Sequence, residues 1–132
     1  MKGQASVETF LILGAVLAVT AGLLYVGQKN SESINAISAA RIGAENAITD
    51  LELEHELTIN IREIERVDDN IEIDLNYWGE EIPRESLEEN VRIGALKFIH
   101  QAFKDEFPEN AEPVSTHYHT FDVKVTAERV EK

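Results

Sequence analysis

The 132-residue chain has no cysteine, which excludes disulfides, a thiol nucleophile and cysteine-ligated zinc and leaves the redox compartment open. Proline occurs only at positions 83, 108 and 113, so no strong helix breaker precedes Pro83. Positive charge is scarce: 12 lysines and arginines face 25 acids, for a formal net charge of −13. The shortage is local. Residues 1–44 carry three basic and two acidic side chains, whereas residues 45–132 carry nine and 23. So acidic a region repels nucleic-acid phosphate, which argues against a nucleic-acid partner. There is no Gly-rich phosphate loop, no GxSxG elbow and no N-x-[ST] glycosylation pattern. A C-terminal part of 77 residues leaves little room for a convergent polar cleft. The expectation is a protein that is not an enzyme and needs no cofactor and no metal.

What the chain does have is an uncharged apolar run, Phe10–Val26, of 17 residues, about 25 Å as a helix. That is the short end of what spans a bilayer core of roughly 30 Å. It exceeds a secretory h-region of about 7–15 residues. The polar stretch "GQKNSES" (Gly27–Ser33) follows. Beyond it Ile34, Ile37, Ala44, Ile48 and Leu51 recur at helical spacing, beside a small-residue stripe of Ala36, Ala40, Gly43 and Ala47. The pattern predicts one nearly continuous helix over 4–55, whose segment 10–26 sits in lipid or among copies of itself.

The period then changes from helical to alternating. In "ELTINIREI" Leu57, Ile59 and Ile61 alternate with polar residues, and in "NIEIDLNYW" Ile71, Ile73, Leu75 and Tyr77 do so. The two read as a hairpin closed at "RVDDN". "VDDN" resembles a fragment of a calcium loop but lacks the spaced acids and the closing Glu, and reads as a turn. An amphipathic helix from Pro83 to Phe107 shows Leu87, Val91, Ala95, Phe98 and Ala102 on one face. Pro83 suits its first position, and "SLEE" (Ser86–Glu89) offers a competing capping box. After the loop "FPENAEP", a third strand faces Phe121, Val123 and Val125 inward. The expected class is α+β: a long N-terminal helix, then an acidic β-β-α-β domain over 56–132 with a three-stranded sheet.

Glu8, directly before the apolar run, is the residue that an ordinary anchor does not need, because a carboxylate at the edge of a membrane-sized segment is costly unless paired. A secretory signal cut after Val19–Ala21, before Gly22, and an unprocessed single-pass anchor both fit the apolar run. The segment "KGQASVE" followed at once by that run resembles the class III signal peptide of archaeal type IV pilin-like proteins. The resemblance covers about residues 1–27. It implies a leader, residues 1–3, removed by a prepilin peptidase between Gly3 and Gln4, with the apolar helix retained. Gln4 becomes the first mature residue, Ser6 the third and Glu8 the fifth, the glutamate typical of these pilins. The implied function is a structural subunit of a surface filament for adhesion or cell–cell contact. The implied partners are other pilin copies, the peptidase, an assembly ATPase and a membrane platform, and the implied location is the cell membrane before assembly and the extracellular pilus after it. The domain beyond the helix departs from the short pilins and leaves a minor or specialised subunit open. The missing glycosylation pattern is a second departure.

Cleavage exposes an α-amine, protonated below about pH 7.7–8.0. An axially displaced neighbour could bring that amine to Glu8 and fix the register of polymerisation, as a buried polar group does in a coiled coil. Gln4 can also cyclise, which removes the amine; Glu8 then needs another donor, such as Ser6 or Thr9 of a neighbour, or is protonated. Gly14, Ala18 and Gly22 lie four apart, a small-residue face that lets helix backbones approach. Elsewhere, His117 and His119 share one strand face, a spacing open to metal but better read as strand-end histidines against a small core. Tyr77 and Trp78 form a candidate partner contact, the first with inward and the second with outward parity. His100 on the second helix has no nucleophile to serve.

Overall fold

The computed structural model describes residues 2–106, 108, 110–116 and 118–130, without the side chains of residues 2–7 and 10. The chain falls into two units, Met1–Ser31 and Glu32–Lys132. Helix α1 (Lys2–Glu54) forms the first unit and begins the second. "GQKNSES" is helical throughout, since nothing in it removes a backbone donor.

In the first unit the apolar residues of α1 face outward on every side. The large apolar side chains from Leu11 to Val26 are each 51–69% exposed. A helix apolar all round is a helix meant to be covered. By length and composition it could cross a membrane, a test that an anchor and a signal sequence both pass. Its one hydroxyl at mid-length, Thr20, donates to the Val16 carbonyl at 2.9 Å and so adds no unmet polar group.

The second unit packs the C-terminal part of α1 and helix α2 (Arg84–Lys104) against a sheet of β1 (Leu57–Val67), β2 (Asn70–Gly79), β3 (Val114–Ser115) and β4 (Thr120–Arg129). The strand order is β1-β2-β4-β3. β1–β2 and β3–β4 are antiparallel, and β2–β4 is parallel with α2 as the crossover. The sheet therefore has four strands, not the three expected. The missed β3 is two residues long, too short to show a period of two. The core joins Ala36, Ala40, Ala44, Ile48 and Leu51 of α1 to the alternating residues of β1, β2 and β4 and to α2.

Three local readings are also corrected. On α1, Ile34 is 63% exposed, and the core face runs through the alanines instead. On α2 the buried stripe is Leu87, Val91, Ala95, Leu96 and Ile99, with Phe98 partly buried and Ala102 exposed. That helix starts after Pro83, which is the N-cap, without a side-chain cap from Ser86, and ends at Lys104 with Asp105 in the left-handed conformation at φ 56°. Phe107 lies outside the described residues.

The hairpin explains a break in the sequence pattern. Ile61 and Ile64 are three apart, yet both pack against the core. A bulge between Ile61 and Glu63 inserts Arg62 and restores the parity. The turn Asp68–Asp69 joins the strands, with Asp68 at φ 55°. The two helices cross at Gly43 and Gly94, where a Cβ on Gly94 would lie 2.7 Å from the Gly43 carbonyl oxygen and one on Gly43 would strike the Gly94 backbone. Only glycine allows backbones so near.

Candidate functional site

At the start of α1, Glu8 is exposed and forms no ion pair among the described residues. The side chains of Gly3, Gln4 and Ser6 lie outside the description, so their proposed roles rest on the sequence. Gly14 and Gly22 would meet nothing within 4 Å if given a Cβ, and Ala18 is exposed. The small-residue face thus has no packing task inside its own chain. Tyr77, at 5% exposed, belongs to the core, which removes it from the candidate contact. Trp78 is half-buried at a surface cleft.

A buried polar cluster in the second unit escaped the sequence reading. Glu32 is the one acid between residues 9 and 44. Its Oε2 accepts from the Thr116 hydroxyl at 2.8 Å, the Tyr118 amide at 3.2 Å and His119 Nδ1 at 3.0 Å. The His119 side chain is 3% exposed and that of Glu32 15%. Thr116 completes a small turn, its N–H donating to the His119 carbonyl at 2.7 Å and its hydroxyl accepting the His119 N–H at 3.1 Å. The imidazole stacks on Phe121 at 4.9 Å between centroids, and Nε2 is buried with no partner among the described residues. A carboxylate with three donors is well satisfied. The cluster ties α1 to the segment that leads into β4. His119 is thus a core histidine, while His117 lies outside the described residues. The signal that could have found the pair was the isolation of Glu32, the one acid between residues 9 and 44.

The outer face of the hairpin shows the opposite electrostatics. Beyond the bulge, Glu63 stands opposite Asp74 and Glu65 opposite Glu72. Like charges across a ladder repel. The Glu65 carboxyl is raised above its ordinary value, first by Glu63, then by partial loss of water, then by Glu72 and Asp74. Among the described residues no group of three or more histidines and acids is placed to hold a metal ion. His100 pairs with Glu106 at 3.1 Å on the surface.

β4 carries its own edge protection. β3 covers only Thr120 and Phe121. Further along, the Val123 N–H donates to Asp122 Oδ1 at 2.8 Å, the Val123 carbonyl accepts from Arg92 Nε at 3.0 Å, and the Ala127 N–H donates to Glu88 Oε2 at 3.1 Å. Side chains of α2 thus stand where a neighbouring strand would bond.

No family model, curated protein or solved structure matches the chain.

Proposed function

We propose that the chain is a structural subunit of an archaeal type IV pilus-like surface filament, for adhesion or cell–cell contact. The observation that carries the reading is the apolar half of α1, exposed on every side from Leu11 to Val26 and headed by an exposed acid, Glu8. Such a helix needs lipid or other helices around it. Glu8 forms no ion pair among the described residues, and a neighbouring molecule would give it a partner. Before assembly the helix holds the precursor in the cell membrane. After cleavage between Gly3 and Gln4 it builds the filament core, with Gly14, Ala18 and Gly22 permitting close approach. The acidic domain of residues 56–132 then faces the surroundings. Catalysis belongs to the partners: the prepilin peptidase, the assembly ATPase and the membrane platform.

A membrane-anchored interaction domain that never polymerises uses the same apolar helix but leaves Glu8 without a purpose. Two measurements separate the readings. The intact mass of the protein from cells should show a start at Gln4, free or cyclised; a start at Met1 supports the plain anchor, and one at Gly22 a secreted domain. Glu8→Ala should keep membrane insertion and abolish incorporation into filaments. Normal filaments from that variant would end the register argument.

A further inference from the structure

The two edges of the sheet differ. At β4, Asp122, Arg92 and Glu88 occupy outward backbone groups. β1 lies at the opposite edge. The Glu56 carbonyl accepts the Glu80 N–H at 2.8 Å, so by the alternation of an antiparallel ladder Thr58 and Asn60 also turn their backbone groups toward β2. Leu57, Ile59 and Ile61 turn theirs outward, and no hydrogen bond reaches those groups among the described residues. The stretch Leu57–Ile61 holds no charge, no proline and no bulge, the devices that keep an edge strand from pairing. They begin directly beyond it, with the bulge at Arg62 and then Glu63, Glu65 and Arg66.

We propose that this bare stretch pairs with the same stretch of a second copy of the chain, antiparallel about a two-fold axis at Ile59. In that register Ile59 meets Ile59 of the copy and Leu57 meets Ile61, so the outward groups exchange about six ladder bonds. Thr58 stands opposite Asn60, and Ile61, partly buried in one copy alone, gains an apolar cross-strand neighbour. One position further, at both ends, Glu56 of one copy faces Arg62 of the other. Glu56 is exposed. Arg62 is held only by exposed contacts with Glu128 at 3.3 Å and Asn76 at 3.5 Å, a kind of contact worth little. Registers of the same parity shorten the ladder and separate Glu56 from Arg62; those of the other parity set outward groups against inward ones. This match of charge at both ends selects the copy over an unrelated strand. The net acidity of the domain opposes the pairing at low salt, whereas about 0.15 M salt screens it beyond roughly 8 Å. Every residue involved belongs to the second unit, so the pairing stands whether or not α1 polymerises.

The chain has no cysteine, which makes the register directly testable. Full-length Thr58→Cys and Asn60→Cys variants are mixed in neutral detergent micelles at about 0.15 M salt and oxidised. Positions 58 and 60 of the two copies form a pair without ladder bonds, with Cα atoms about 4.5 Å apart. The mixture should therefore cross-link at least about fivefold faster than either variant alone, whose cysteines lie offset along the strands. Arg62→Glu, added to both variants, sets acid against acid and should slow cross-linking about fivefold or more; Glu56→Arg added to the same chains should restore it. Equal rates in the mixture and in the single variants would assign the contact to the apolar helices and overturn the strand pairing. Failure of the charge exchange to restore cross-linking, with the melting temperature unchanged, would overturn the register. The cysteine comparison needs neither charge variant, so it decides the pairing even where those variants disturb the fold.

Discussion

Single residues carry both polar extremes of the second unit. Glu32 is half-buried and has three donors on one oxygen, whereas Glu65 stands on the surface among like charges. The second case has a definite sign. The folded-state value of Glu65 lies above its ordinary 4.5, so folding disfavours its charged form. The associated stability is fully present below pH 4.5 and is lost as pH rises through the raised value. Glu65→Gln should therefore raise the melting temperature at pH 7, leave it unchanged near pH 4, and lose its advantage in high salt. Melting curves across that range check it, and an advantage that grew toward acid pH would refute the account. The crowding of Glu65 was not legible in the sequence, because it depends on the bulge at Arg62, which sets Glu63 and Glu65 against Asp74 and Glu72. His119 was legible as a core histidine. Its partner was not, because 87 residues separate Glu32 from it and no local pattern spans such a distance.

At the scale of elements, periodicity revealed those long enough to show one. α1, both hairpin strands, α2 and the strand from Thr120 were all visible, while β3, two residues long, was not. The face of α2 was misjudged by part of a turn, since Phe98 and Ala102 fit a four-residue ladder as well as Leu96 and Ile99 do. Only the packing against β4 decides between them. The glycines of α1 separate two tasks that sequence alone merges. Gly43 abuts the Gly94 backbone, whereas Gly14 meets nothing. Gly43→Ala should destabilise the second unit by about 1–3 kcal/mol, the usual range for overpacking. Gly14→Ala should leave its unfolding midpoint unchanged and alter only association between helices. Denaturant titration of the two variants side by side makes the comparison, and equal effects would show that the crossing tolerates a methyl group.

For the whole molecule, charge is the dominant long-range property. Residues 45–132 carry 14 more acids than bases, so in the filament proposed above neighbouring domains would repel across about a Debye length. Filaments should loosen at low ionic strength without divalent cations and tighten when salt returns. Sedimentation or electron microscopy in chelator reads this, and indifference to both would mean that the domains lie beyond each other's field. The Glu32 cluster has a further, mechanical consequence. Glu32 is the first residue of the second unit, so tension carried along α1 enters the domain there. Its three bonds to the 116–119 segment meet on one oxygen, so in the proposed filament such a load would reach them together, ahead of the alanine packing behind them.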